Sequence, residues 1–444
     1  MIYNRLIVAA IGFIRLEPYD GKLSRTVLRG GKDSNALLLP DYASVEMLYH
    51  PEYVGKPLAV GGDPEARHGI VLTANYIAKR SGVKTGMALW QAKQVCPDLI
   101  FVPPRMDLYL KFSSMLREIY SEYTNQVEPY GCDEAWLDVT DSFSLKGDGR
   151  KIAEEINRRV KKELGITVSI GISWNKIFAK LGSDYKKPDG ITEFNRTNYR
   201  ELIWKLPVSD LLYVGRSTNR TLQKYGIRTI GELARTDPSF LERQLGKMGL
   251  VIYSFANGWD DSPVSVEGYQ APIKSIGNST TTPRDLENDQ DVQIILMALA
   301  ESVAARLRKH GFKCKVVSIT IRDNGLYSFS RQKKLERPTD ITNEIMTAAY
   351  LLFKENYNWN HPIRSLGIRA ENLVLADVPV QLDLFISEEQ REKQEKMDQA
   401  VDEIRRRFGY FSIQKAFVYQ DKALASLDAQ SSHTVHPVGY FNGR

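Results

Sequence analysis

The sequence predicts a multidomain α+β protein, and three observations carry that prediction. At 444 residues the chain is too long for one core, so about two to four domains are expected. From Val127 to Ile172 it reads as a strand pair, a helix and a further strand, the order of a small α+β sheet unit. Beyond a linker at residues 258–274 it turns basic and strand-rich again. Composition agrees, since a hydrophobic share of 43% and a charged share of 26% are those of an ordinary soluble globular chain. A net charge of +6 is compatible with a polyanionic partner without demanding one. Cys96, Cys132 and Cys314 lie far apart, form no metal-binding spacing and read as reduced intracellular thiols. The longest apolar run near the start, Leu6 to Ile14, is closed by Arg5 and Arg15 and too short to span a bilayer. No small-residue cleavage pattern follows it, so the chain reads as cytoplasmic.

The elements follow in order. The first stretch gives one apolar run and then a polar segment, Asp20 to Asn35, without clear periodicity. From Asp41 the texture changes: Asp41 is placed to cap a helix, with Glu46 early in it. Gly55 to Gly62 reads as turn, strand and turn, and Gly69 to Ala74 as a strand. Asn75 to Lys79 and Leu89 to Val95 read as short helices. Val127 to Thr140 is a hairpin, because Gly131 tolerates turn dihedrals and the flanks are rich in Val, Tyr, Trp and Thr. Arg150 to Gly165 sets Ile152, Ile156, Val160 and Leu164 on one helix face. Thr167 to Ile172 is a strand and Asn175 to Gly182 a helix, running into a basic loop closed by Pro188 and Gly190. Two short helices joined by Gly-containing bends lie between Leu212 and Leu233. Ala298 to His310 is a helix, and Lys315 to Arg322 a strand with Val317, Ile319 and Ile321 on one side. A charged helix runs from Ser387 to Phe408.

Several of these stretches carry chemistry. Asp133 and Glu134 stand side by side in the hairpin bend, where two carboxylates repel each other unless a cation lies between them. Hard oxygen ligands of this kind suit Mg²⁺ or Mn²⁺ shared with a substrate's phosphates, and a solvated acidic turn is the alternative. Lys187, fixed before Pro188, is placed to meet a phosphate or belongs to a solvated helix end. The bend at Gly215-Arg216 suits a helix-hairpin-helix that holds DNA phosphates without reading sequence, or a plain helical hairpin. Arg331, Lys333 and Lys334 follow the strand Lys315 to Arg322, and a basic, strand-rich region of this kind suits a duplex backbone. Gln381-Leu382-Asp383-Leu384-Phe385 suggests a docking peptide, with a strand end or a packed tail as the alternative.

Together these stretches resemble the Y-family DNA polymerases, the translesion group. Motifs agree in order and spacing: Tyr42-Ala43-Ser44-Val45-Glu46; Thr73-Ala74-Asn75-Tyr76 with Gly82 to Met87; Tyr130 to Ala135; Gly171-Ile172-Ser173 through Gly190; and the Gly215 hairpin. The resemblance runs from Asp41 to the pentapeptide, and the joint agreement outweighs the separate alternatives. It implies a right-hand architecture: fingers at 41–104, a ferredoxin-like palm at 105–200, a helix-hairpin-helix thumb at 201–265 and an α+β little finger at 272–376. Residues 1–40 stand apart as an atypical segment, and 377–444 form a tail with the clamp-binding peptide and the charged helix. Asp133 and Glu134 are implied to be catalytic and to hold two Mg²⁺ ions, with Mn²⁺ able to substitute. Tyr42 falls on the steric-gate position that excludes a ribose 2′-hydroxyl, and Tyr76, Lys79 and Lys187 on positions that grip the incoming triphosphate. Gly215, Arg216, Arg331 and Lys333 are expected at DNA, and Gln381, Leu382, Leu384 and Phe385 at a sliding clamp of the β-subunit type. The implied partners are primer–template DNA, deoxynucleoside triphosphates and that clamp, with no membrane, for a monomeric protein.

Two positions depart from the family pattern. Lys79 stands where the family usually shows Arg; it keeps the charge and loses the bidentate fork. More seriously, the family places a metal-binding carboxylate five residues before the gate, in an Asp-x-Asp strand, and here that position is Leu37. Holding two metals for phosphoryl transfer requires enough negative ligands, so its loss predicts a large fall in rate. The expected activity is template-directed deoxynucleotidyl transfer to a primer 3′ end in DNA damage tolerance, impaired by Leu37, with the first 40 residues out of frame or a diverged replacement. The alternative is a catalytically inactive homologue that binds DNA and the clamp. A nucleotide cyclase on a similar palm is disfavoured by the hairpin, the basic region and the clamp-like peptide.

Overall fold

The computed structural model describes residues 7–11, 42–62, 69–269, 272–377, 388–427 and 429. The chain divides into two compact units near residue 270. In the first unit the strands run β1 (Ile7–Ile11), β2 (Leu58–Gly61), β3 (Val71–Ala74), β4 (Ile100–Val102), β5 (Val127–Tyr130), β6 (Glu134–Asp138), β7 (Ser169–Ser173) and β8 (Ile191–Glu193). Five of them form one sheet in the order β5-β6-β1-β7-β8.

The central strand of that sheet is β1, antiparallel to both β6 and β7. The atypical N-terminal segment thus contributes Ile7–Ile11 to the sheet. A strand flanked on both sides, in a sheet covered on both faces, calls for a continuous apolar run instead of an alternating one, so period-2 patterning could not reveal it.

Helices Met106–Ser121 and Gly149–Leu164 cover one face of the sheet. There Ala135, Leu137, Ile170 and Ile172 pack with Leu116, Ile152, Ile156 and Val160. Helix Lys176–Tyr185 covers the other, where Trp136 packs with Ile177, Phe178 and Leu181. Its approach depends on Gly171 in β7, where a Cβ would stand 1.9 Å from the Ala179 carbonyl oxygen and 2.4 Å from the Ser183 nitrogen. The shorter sheet, β3-β2-β4, is ordered by Asn75, whose side-chain oxygen accepts from the amides of Leu58 and Ala78. Helices Arg216–Lys224 and Ile230–Arg235 follow, joined through Gly226 at φ +78°.

The second unit holds β9 (Ser275–Leu286), β10 (Phe312–Asp323), β11 (Ser328–Thr339) and β12 (Ile363–Leu375), in the antiparallel order β11-β10-β12-β9. Val317, Ile319 and Ile321 face helices Asp289–Lys309 and Thr342–Asn356, and the core they share is almost fully shielded from solvent. Fully burying each such side chain is worth about 1.5–3 kcal/mol. Pairing with β10 and β12 places Lys334, Gln332, Thr320, Arg322 and Arg369 on the opposite, exposed face. The helix Glu388–Phe408, read from sequence as part of a tail, is tied to the same helical layer. Arg308 reaches both Asp398 and Asp402, Arg391 pairs with Glu344, and Arg405 with Glu301.

Candidate active site

The site grows from the turn between β5 and β6. Tyr130 and Glu134 are register partners, and Gly131, Cys132 and Asp133 close the turn, with Gly131 at φ +79°. Ile11 of β1 lies opposite Glu134 on its other side. The two carboxylates are not a solvated acidic turn. Glu134 is only 19% exposed; its Oε1 lies 3.2 Å from Lys180 Nζ, and its Oε2 is buried without a hydrogen-bond partner. Burial pushes Glu134 up to about 7, against the pull of Lys180. Asp133 is also raised by burial, opposed by its own backbone amide and by Lys180 and Lys187.

Helix Lys176–Tyr185 and the loop that follows it bring the cations. Lys180 donates to Asp184 at 2.6 Å, one turn on, and Lys187 reaches the same carboxylate at 2.5 Å. Burial opposes the charge on Lys180, but Glu134 and Asp184 outweigh it and hold the ammonium above its ordinary range. Burial likewise opposes ionisation of Asp184, and the two lysines more than offset it. The arrangement is two half-buried carboxylates beside two ammonium groups, with a third carboxylate binding the lysines together.

Tyr42 begins the helix Tyr42–Tyr49 and leans over the same turn: its hydroxyl and the Cys132 thiol share a 2.9 Å hydrogen bond. Its ring lies flat on Tyr109, with centroids 4.2 Å apart and planes 5° from parallel. The Tyr109 hydroxyl donates to Glu46 at 2.6 Å, and Arg105 donates to both oxygens of that carboxylate.

The structure therefore brings Tyr42, Asp133, Glu134 and Lys187 to one turn. Tyr76 and Lys79 meet each other on the helix after β3, with the ammonium 5.2 Å from the ring centroid. Gly215 and Arg216 open the helix Arg216–Lys224. Arg331 and Lys333 lie in the second unit on the helix side of β11, where Arg331 donates to Asn356 and Lys333 pairs with Glu355. Leu37, Gln381, Leu382, Leu384 and Phe385 fall outside the described residues. Sequence reasoning missed Lys180 and Asp184, which their i,i+4 spacing on one helix could have flagged. It also missed Tyr109 and Arg105, which reach Tyr42 and Glu46 from more than fifty positions away and leave no local signal.

The donor set suits a hard divalent ion: two adjoining carboxylates, one with an oxygen held out of water and unpartnered. Among the described residues no third carboxylate, histidine or cysteine joins them as a ligand group, and β1 beside Glu134 contains no acidic residue.

Comparison with known proteins agrees along most of the chain. Residues 41–184 match the model of the impB/mucB/samB family, and residues 273–384 that of the impB/mucB/samB family C-terminal domain. DNA polymerase IV of Acetivibrio thermocellus is 51% identical over 383 residues, covering 86% of this chain and 96% of that protein. DNA polymerase IV 1 of Bacillus subtilis is 40% identical over 375 residues, 84% and 90% of the two chains. Among solved structures, a Y-family DNA polymerase chimera shares the fold with a TM-score of 0.67 at 23% identity, over 83% of this chain and 99% of its own. DinB from Sulfolobus solfataricus gives 0.51 at 23% identity, over the same shares.

Proposed function

This chain belongs to the impB/mucB/samB family, the Y-family DNA polymerases that include DNA polymerase IV, and from that membership we propose how its acidic turn serves template-directed synthesis. It is a DNA-directed DNA polymerase of the translesion type, a nucleotidyltransferase that binds primer–template DNA and deoxynucleoside triphosphates. Asp133 and Glu134 hold the divalent metal on which the family depends, two Mg²⁺ ions in the full reading, with Mn²⁺ able to replace them. Bound there, such ions would neutralise the triphosphate and favour the ionised primer hydroxyl. Lys187 grips the incoming triphosphate, and Asp184 keeps it and Lys180 beside the turn until substrate arrives. Tyr42 stands as the steric gate, and Tyr76 with Lys79 completes the hold on the triphosphate. Gly215 and Arg216 offer a helix start to a DNA phosphate.

In the second unit the DNA-facing cations are better assigned to Lys334, Arg322 and Arg369 than to Arg331 and Lys333, because the former share the exposed sheet face. Gln381, Leu382, Leu384 and Phe385 are proposed as the clamp-binding peptide, on the sequence match alone. A cytoplasmic, monomeric protein completes the reading. Among the described residues no helix is long and apolar enough to cross a membrane.

The observation that carries the catalytic reading is the buried, unpartnered oxygen of Glu134 beside Asp133. The test is primer extension by the full chain on a primed template with Mg²⁺, and separately Mn²⁺, beside an Asp133→Ala/Glu134→Ala variant. Extension by the parent chain, lost at least about 1,000-fold in the variant, is expected, since removing charge stabilisation at a reacting centre costs that much. Equal extension by both proteins would sink the assignment. A second reading, a DNA- and clamp-binding homologue without polymerase activity, is favoured by one observation: the strand beside Glu134 carries no carboxylate. Template binding with no incorporation under either metal would select it.

A further inference from the structure

A gate that refuses one hydroxyl group works only if it does not yield. A tyrosine at the first position of a helix turns about two side-chain torsions, so the ring of Tyr42 needs to be held by its surroundings. Two contacts hold it. Its face lies on Tyr109, nearly parallel with centroids 4.2 Å apart, and its tip shares a hydrogen bond with the Cys132 thiol. Tyr109 cannot drift: it is 1% exposed, its hydroxyl donates to Glu46, and Arg105 holds Glu46 at 3.0 Å and 2.5 Å. Cys132 is fixed as well, because it stands in the β5–β6 turn directly before Asp133.

We propose that Tyr109 and Cys132 are positioning residues for the Tyr42 ring, and that they set how strictly this chain refuses ribonucleotides. The inference rests on the steric-gate reading of Tyr42. It adds that discrimination does not belong to the gate ring alone. It is carried by a chain of contacts running from Arg105 through Glu46 and Tyr109 to Tyr42, clasped at the tip by the turn that also carries Asp133. A ring freed on its face could swing aside for a ribose hydroxyl without losing its place beside a deoxyribose. A defect in this support therefore admits the wrong sugar instead of weakening the right one.

The experiment measures deoxyribonucleotide and ribonucleotide together, as kcat/KM in primer extension and as equilibrium Kd on the chain bound to a primed template with Mg²⁺. The binding arm reports even if turnover is slow. Tyr42→Ala, Tyr109→Leu, Tyr109→Phe and Cys132→Ala are compared with the parent. Tyr42→Ala is expected to abolish the preference. Tyr109→Leu should cut the deoxy-over-ribo ratio by about tenfold or more through gain of ribonucleotide use, the range that a change in pocket shape provides. Tyr109→Phe keeps the ring and should restore most of the ratio, while Cys132→Ala, in the turn and outside the core, should cost about fivefold, the worth of one ordinary hydrogen bond. A merely structural role would lower both sugars alike. If Tyr42→Ala abolishes the preference while Tyr109→Leu and Cys132→Ala keep the parent ratio, the support chain is refuted and the gate stands. Should Tyr109→Leu fail to fold, Cys132→Ala decides the matter by the same ratio: a fall of about fivefold bears the support out, and a parental ratio refutes it. If Tyr42→Ala leaves the ratio unchanged, the gate reading itself falls, and the inference with it.

Discussion

Glu134 shows how much a single side chain's surroundings alter its chemistry. Burial lifts its pKa from an ordinary 4.5 to about 7, with Lys180 as the main opposing influence. A carboxyl group whose folded pKa exceeds its unfolded one binds its proton more tightly in the native state. Its contribution to stability is therefore complete below about pH 4.5 and is lost as pH rises through about 7. For the chain stripped of divalent metal, we expect thermal stability to fall relative to Glu134→Gln between about pH 5 and pH 8, by on the order of 2 kcal/mol. Parallel melting curves for the two proteins across that range would remove the argument. The same residue illustrates what sequence could show. Two neighbouring acids after a glycine announce a turn, but only the folded chain reveals that one oxygen is buried and unmatched. Lys180 and Asp184 were legible in principle from their spacing. Tyr109 was not, because it meets Tyr42 across sixty-seven positions of chain.

At the scale of elements, the site depends on how closely one helix lies on one strand. Helix Lys176–Tyr185 carries both Lys180 and Asp184, and it reaches the sheet only because Gly171 has no side chain. Gly171→Ala would drive a methyl group into the backbone of Ala179 and Ser183, atoms that cannot turn away as a flexible side chain can. The expected cost is about 3 kcal/mol, the upper range for overpacking, together with loss of primer extension through displacement of the two lysines. Chemical denaturation and extension assays read the two effects separately; a variant with parental stability would show that the helix can be lifted freely. Most elements in this region were legible. Periodicity found the Gly149–Leu164 helix almost to its ends, and the run of strand-forming residues found the hairpin. What it could not find was β1, since an uninterrupted apolar pentapeptide gives no period to read.

For the molecule as a whole, the basic surface predicts attraction to DNA that depends on salt and not on sequence. Within the second unit the register of β11 divides its cations between two faces. Lys334→Ala, Arg322→Ala and Arg369→Ala should each weaken binding to any primed duplex and reduce the logarithmic salt slope by about one. Lys333→Ala, whose ammonium is paired with Glu355, should leave the slope near the parental value. Fluorescence anisotropy titrations across a range of salt would decide; equal slopes for Lys333→Ala and Lys334→Ala would overturn the division. By itself the sequence determined the multidomain α+β character, the order of most elements, the acidic hairpin and the family. Each of these is written in local patterns, in turn residues, in periodicity or in short motifs at fixed spacing. Tertiary structure alone decided the strand that fills the centre of the sheet, the faces on which the basic residues lie, and the burial of Glu134. It also decided which distant rings and ions brace Tyr42. Those depend on pairing between segments far apart in the chain, where register and packing choose the partner and no nearby residue records the choice.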